Sequence, residues 1–264
     1  MTGLTTDEVR HFGDKGYLAG LPLLSKSEVT DLRSRIDTVF EACDNTLHNH
    51  ILQVHTVLPW AYALATQCML LDRIEGLIGP DILLWKSKCF VKFPGSATVP
   101  WHQDMPHWDL DPPVSVTAWV ALTPSHTCNG CVRVVPGSHR AGRVDHNVDK
   151  SGQSLLTSGL QIDAPDDDTL RSMELEPGQM SMHDGFIVHG SDANTGEEPR
   201  IGIAFVFIPA TARQTGDAHG GVMLMRGQDS AGFFPLAGPP VDDDTMLDRA
   251  RTAFEHYRDG RKAY

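Results

Sequence analysis

The sequence predicts a mainly β domain, a sandwich or barrel, with a shell of N-terminal helices. Three observations carry this reading. From about residue 81, short β-rich runs bounded by Gly, Pro, Asn and Asp recur at 82–85, 88–93, 114–122, 131–135, 179–183, 186–189 and 200–209. Helical patterns are confined to the first third and do not alternate with these runs, which argues against a doubly wound parallel sheet. A length of 264 residues is ordinary for one large β domain, so no second domain is required.

The helical third comes first. Thr5 or Thr6 can cap a short helix with Asp7 and Glu8 in its first turn. Ser25-Lys26-Ser27-Glu28 is a capping box. It opens a helix whose Val29, Leu32, Ile36, Val39 and Phe40 recur at helical spacing. A third helix is expected over 60–78, stopped by Gly79-Pro80. The resulting division of the single domain 1–264 is a helical shell at 1–80, a β core at 81–210, and a loop plus C-terminal helix at 211–264. The polar stretches at 142–168 and 210–245 are long for loops within a compact domain and read as lids or disordered segments.

Composition narrows the function. No apolar run approaches the roughly 20 residues needed to span a membrane. Residues 1–8 have neither a basic n-region nor an apolar h-region, so they do not read as a signal peptide. The formal net charge is -12, with acidic clusters at Asp166-Asp167-Asp168 and Asp242-Asp243-Asp244. That balance argues against nucleic acid or anionic lipid as a partner. Five cysteines form no disulfide framework, and with no export signal the cytoplasm is the expected location. Cys128-Asn129-Gly130-Cys131 has no second pair to complete a zinc site and reads as a turn before a buried strand.

The chemistry lies in two distant segments. Pro100-Trp101-His102-Gln103-Asp104 supplies a His-x-Asp pair, and a second pair, His107-Trp108-Asp109, sits in a Pro- and Asp-rich loop. Two side chains one residue apart on a strand point to the same side, so His102 and Asp104 can reach one ion. A third ligand comes from His189 or His183, both after apolar runs. His189 alone has a serine two residues later, Ser191, and an arginine eleven residues later, Arg200. Two imidazoles and a carboxylate on one face of a metal form the facial triad of non-haem Fe(II) oxygenases. A buried arginine nearby suits a dicarboxylate, since guanidinium and carboxylate pair in a fork.

Several blocks together carry a family resemblance. They are Phe12-Gly13-Asp14-Lys15-Gly16-Tyr17-Leu18, Trp101-His102-Gln103-Asp104, Trp119-Val120-Ala121-Leu122, the stretch Asn129-Gly130-Cys131-Val132-Arg133-Val134-Val135-Pro136-Gly137-Ser138-His139, His189-Gly190-Ser191-Asp192-Ala193-Asn194 and Arg200-Ile201-Gly202. In these the chain resembles the phytanoyl-CoA dioxygenase family of Fe(II)/2-oxoglutarate-dependent oxygenases, in its ectoine-hydroxylase-like and bacterial secondary-metabolism branch. The resemblance implies a double-stranded β-helix, a jelly roll related to the cupins. It implies that His102, Asp104 and His189 bind Fe(II), and that Arg200 with Ser191 holds the distal carboxylate of 2-oxoglutarate. The family often has a serine where this chain has Gly196. Asp104 fills the position that halogenating relatives leave small, so halogenation is not expected.

The reaction implied consumes 2-oxoglutarate and O2, releases succinate and CO2, and hydroxylates a small polar metabolite or natural-product intermediate. The same centre used for desaturation, epimerisation or cyclisation is one alternative; a non-enzymatic cupin-like binding module is another. His107 and Trp108, just past the metal, are candidate substrate contacts, with Met105, Met223 and Phe234 as further lining residues. His139 reads as part of a structural corner after Pro136-Gly137. The acidic surface disfavours a CoA-sized polyanion as substrate unless a local basic pocket overrides it. The sequence is silent on oligomeric state.

Overall fold

A computed structural model describes residues 3–43, 50–148, 160–216 and 222–258. Two capping boxes open the helical region. Thr5 precedes α1 (Thr6–Lys15) and Ser25 precedes α2 (Lys26–Ala42). Each cap hydroxyl accepts from the backbone N–H of the glutamate three residues on. Each cap N–H donates to that glutamate's carboxylate at 2.7 Å. Helix α2 buries Val29, Leu32, Ile36, Val39 and Phe40, as the 3.6-residue period requires. The single-turn α3 (Val54–Val57) follows. The stretch at 60–78 then forms two helices, α4 (Pro59–Ala65) and α5 (Cys68–Ile78). The break falls at Gln67, whose ψ of 129° leaves the helical region. A C-terminal α6 (Met246–Arg258) completes the set.

Fifteen strands lie among the described residues. They are β1 (Tyr17–Pro22), β2 (His50–Leu52), β3 (Ile82–Lys92), β4 (Val99–His102), β5 (Leu110–Asp111), β6 (Val116–Ala121), β7 (Val132–Val134), β8 (Asn147–Val148), β9 (Leu160–Gln161), β10 (Arg171–Ser172), β11 (Gln179–Asp184), β12 (His189–Ser191), β13 (Arg200–Pro209), β14 (Arg213–Gln214) and β15 (Met223–Arg226). A 7-stranded sheet runs β1-β11-β6-β13-β3-β15, with β2 also on β3, and a 4-stranded sheet runs β10-β7-β12-β4. The helices cover the outer face of the larger sheet and the smaller sheet faces its inner side. This is a jelly-roll arrangement, left open rather than closed into a barrel. The segment 1–80 thus supplies β1 and β2 besides its helices, and 211–264 supplies β14 and β15 besides α6. Of the two long polar stretches, 149–159 and 217–221 lie outside the described residues. The β8–β9 ribbon is fixed beside the smaller sheet by Ile162, whose N–H donates to the Trp101 carbonyl at 2.6 Å.

Alternation along the central strands separates core from site. On β13, Ile201, Ile203, Phe205 and Phe207 join the helix-facing core. Arg200, Gly202, Ala204 and Val206 face inward. Burial on both faces explains why this strand is a continuous apolar run. On β3 a bulge changes the phase: Phe207 pairs with Leu84 and Val206 with Lys86, so Trp85 has no opposite number. Before the bulge, Ile82 and Leu84 face the helices; after it, Cys89 and Val91 do. Trp85, Lys86, Lys88, Phe90 and Lys92 therefore share the inner face. What the sequence presents as two runs, 82–85 and 88–93, is one strand interrupted by inward-facing lysines.

Gly202 is required where it stands. A Cβ there would collide with the Trp119 indole on the neighbouring β6. Gly202→Ala is expected to lower stability by about 1–3 kcal/mol through overpacking. Urea unfolding measures this; a loss under about 0.5 kcal/mol would show that Trp119 can move aside.

Candidate metal centre

One register pair closes the gap between the two chemical segments. β12 lies between β7 and β4, and His189 is the Cα partner of His102. The two rings sit with centroids 4.1 Å apart. Asp104 is not on the strand: β4 ends at His102, and Asp104 caps the short 3₁₀ turn Met105–His107 in αR conformation. The strand alternation expected for the pair is replaced by a turn, which the Gly185 carbonyl holds by accepting the N–H groups of Asp104 (3.1 Å) and Met105 (2.8 Å). His102 Nε2 lies 3.5 Å from Asp104 Oδ1, and His189 Nε2 lies 4.0 Å from Asp104 Oδ2. One ligand atom from each residue falls within 4.8 Å of the others. Donors about 2.1 Å from one ion lie roughly 3 Å apart, so small rotations bring this set onto a single metal.

The imidazole tautomers follow from the backbone. His102 Nδ1 is 2.8 Å from the Pro100 carbonyl and His189 Nδ1 is 3.1 Å from the Ile187 carbonyl. A carbonyl only accepts, so both Nδ1 atoms carry hydrogen and both Nε2 lone pairs are free for a metal. Burial also holds His189 well below its ordinary pKa, which keeps it neutral as ligation demands. Burial opposes ionisation of Asp104; without a metal, a protonated His102 hydrogen-bonded to the carboxyl and the charge of protonated His189, His102 and His183 outweigh it and hold the carboxyl well below its usual range, the place a metal cation takes when the rings are neutral.

His183, the rival for the third ligand, also reaches this group, with Nε2 4.0 Å from Asp104 Oδ2 and its ring 4.7 Å from that of His189. It stands on the inner face of β11, and burial lowers its pKa to about 4. Neither of its nitrogens has a hydrogen-bond partner among the described residues. No backbone carbonyl fixes its tautomer, and it lies outside the set of three.

Gln103, between His102 and Asp104, is fully buried and points the other way. Its Nε2 donates to the carbonyls of Gly142 (2.8 Å) and Phe186 (2.6 Å), and its Oε1 accepts from Val144 N–H at 2.9 Å. This glutamine clamps the ligand turn to two loops. The sequence offered no pattern that marks it as a positioning residue.

A cationic end lies further along the inner face. Arg200 is 2% exposed, stacks over Trp119 at 5.1 Å, and donates Nη1–H to the Gly130 carbonyl at 2.7 Å. Its Nε has no partner among the described residues. Gly130 holds a φ of 73°, and a Cβ there would collide with the Asp192 carbonyl. The Cys128–Cys131 segment is therefore the turn expected, with both thiols free. Lys92, the partner of Arg200 across the sheet, donates to Ser191 Oγ at 2.7 Å and to the Asp192 carbonyl. The Ser191 hydroxyl proton is then free to donate. Burial, then repulsion from Arg200, lowers the Lys92 pKa to about 7. Burial lowers Arg200 to about 10.

The candidate substrate residues divide. Met105, Trp108 and Phe234 pack with Trp85 in one inward cluster, with Trp85 5.8 Å from Phe234 and 6.0 Å from Trp108. The side chain of His107 lies outside the described residues. Met223 is not brought to the site: it pairs with Leu84 and enters the helix-facing core, while its neighbour Leu224 packs on the inward cluster. His139 donates Nε2–H to the Gly13 carbonyl (3.0 Å) and fills the space beside Gly16, as a corner residue.

Comparison with known proteins converges on one family. The family model for phytanoyl-CoA dioxygenase (PhyH) matches residues 12–202. A 2-aminoethylphosphonate dioxygenase from an uncultured bacterium is 26% identical over 133 residues, covering 50% of this chain and 48% of that protein. The ectoine dioxygenase of Halomonas elongata is 28% identical over 197 residues, 67% of this chain and 58% of that protein. The solved structure of apo ThoJ, a non-heme monooxygenase, superposes with a TM-score of 0.80 at 25% identity, covering 96% of both chains.

Proposed function

The chain belongs to the phytanoyl-CoA dioxygenase family, and from that premise we propose that it is an Fe(II)- and 2-oxoglutarate-dependent dioxygenase hydroxylating a small metabolite or natural-product intermediate. The observation that carries this is the convergence of His102, Asp104 and His189 beside a buried arginine with an unpartnered Nε. The residues fit both groups. Two neutral imidazoles and one carboxylate suit Fe(II) and leave the opposite face open. Arg200, Ser191 and Lys92 offer three kinds of donor to one carboxylate of 2-oxoglutarate. A carboxylate there would also relieve the repulsion between two buried cations. The metal, with O2 and 2-oxoglutarate bound, supplies the oxidising power, and the chain supplies binding, orientation and exclusion of water. We take the whole chain to act as one domain.

The test is a titration without oxygen. Fe(II) and 2-oxoglutarate together should give a visible charge-transfer band, and admitting O2 should yield succinate. Absence of the band overturns the reading. The midpoint should also shift with pH in a defined direction. An anion prefers the ammonium form of Lys92, so affinity persists below pH 7 and weakens as pH rises through the pKa of about 7. The fall is up to about tenfold per pH unit, because at most one proton is lost. Lys92→Met should flatten the profile; an unchanged slope would remove Lys92 from the carboxylate site.

A further inference from the structure

The inner face of β3 carries more positive charge than iron and 2-oxoglutarate can use. Lys92 and Arg200 occupy one end. Lys86 and Lys88 lie on the same face toward the other end, partly buried, with neither an ion pair nor a hydrogen bond among the described residues. The Lys86 ammonium sits between two indoles, 5.5 Å from Trp85 and 5.3 Å from Trp108, and that of Lys88 lies 4.6 Å from the Phe90 ring. Burial lowers the pKa of both lysines to about 8, and the Asp104 carboxylate opposes that shift. No carboxylate among the described residues is fully buried. A divalent ion and dianionic 2-oxoglutarate cancel, so Lys86, Lys88 and Arg200, with Lys92 where it is protonated, would still face only Asp104 and, at the Lys92 end, Asp192. An interior either sheds the protons of such an excess or meets it with a counter-charge, and two indoles and a phenyl ring placed against these ammonium groups favour the charged form.

2-Oxoglutarate cannot serve both ends. Lys86 and Lys92 are six residues apart, about 20 Å along an extended strand. A five-carbon dicarboxylate spans under about 8 Å. The bulge at Trp85 is the device that turns Lys86 and an aromatic side chain to the same side.

Resting on the oxygenase reading above, we propose that Lys86, assisted by Lys88, anchors an anionic group on the substrate, a carboxylate or phosphate ester, while Trp85, Trp108 and Phe234 receive its apolar part. The substrate is then a small amphipathic anion, and the basic interior overrides the acidic exterior. Four probes of similar skeleton test this by calorimetry on protein loaded with Fe(II) and 2-oxoglutarate under nitrogen: 3-phenylpropanoate, 2-phenylethyl phosphate, neutral 3-phenylpropan-1-ol and cationic 3-phenylpropylamine. At least one anion should bind about tenfold or more tighter than the alcohol, as charge-assisted contacts allow, and the amine should not bind. Which anion is preferred separates carboxylate from phosphate recognition. Lys86→Met should reduce anion affinity to that of the alcohol and leave the 2-oxoglutarate band midpoint unchanged, whereas Lys86→Arg should retain most of the preference. Equal affinity for anions and alcohol, or no anion binding, overturns the proposal, and the wild-type comparison needs no variant to fold. Loss of 2-oxoglutarate binding in Lys86→Met also overturns it, by moving the lysine to the co-substrate. Failure of wild-type protein to form the band counts instead against the oxygenase reading.

Discussion

His102→Ala is expected to abolish succinate formation and to weaken Fe(II) binding more than a hundredfold, since loss of partners one shell further out already costs 10–100-fold. The residue is a register partner of His189 with its tautomer fixed by the Pro100 carbonyl, whereas His146, whose Nδ1 is fixed in the same way by the Val144 carbonyl, spends its Nε2 on the Gln103 N–H at 3.2 Å. His183 is close enough to invite substitution for it, but no carbonyl orients its ring. His183→Ala should therefore leave iron stoichiometry intact. Iron content after anaerobic loading, read beside circular dichroism to confirm folding, separates the two variants. Turnover retained in His102→Ala would move the ligand to His107; iron lost in His183→Ala would make the centre a four-residue site.

The sequence made the candidate ligands legible because their chemistry is local: a His-x-Asp pair and a histidine followed by Ser191 and Arg200 need no knowledge of pairing. Choosing His189 over His183 rests on those two neighbours alone, since both histidines end apolar runs; the register of β12 against β4 adds what no spacing could give, the pairing of His189 with His102. The β13 strand was readable at both ends because two-sided burial makes it uniformly apolar. β1 was not, since Tyr17–Pro22 contains Gly20 at a φ of 75° and ends in proline, the signature of a loop. It is tolerated as a strand at the edge of the larger sheet. The single helix expected over 60–78 breaks at Gln67, which no proline or glycine announces. The lysines of β3 escaped notice for the opposite reason. Charged residues in a strand read as solvent-facing, and only the bulge and the pairing of Lys92 with Arg200 reveal that they point inward. The charge pattern that breaks the apparent strand is thus the one that equips the interior.

Arg200→Ala should weaken 2-oxoglutarate binding by at least about a hundredfold while iron affinity changes by less than about threefold. The guanidinium is buried and can offer two charge-assisted bonds, worth about 1.5–3 kcal/mol each. Its Nη1 is committed to the Gly130 carbonyl, yet its Nε is unsatisfied, so a ligand carboxylate adds bonds without breaking that one. Arg200→Lys is not a conservative replacement: an ammonium cannot reach Gly130 and fork onto a carboxylate at once, and it would stand beside Lys92, already lowered by burial and by the charge of Arg200. Its 2-oxoglutarate affinity should fall between those of the wild type and the alanine variant. The separation of effects is decisive. His102, Asp104 and His189 are held by β4, β12 and the Gly185 carbonyl, whereas Arg200 belongs to β13 and the Gly130 turn. Equal loss of iron and 2-oxoglutarate binding in Arg200→Ala would mean that the arginine holds the two sheets together by its contacts with Trp119 and Gly130, and that the carboxylate site must be sought elsewhere.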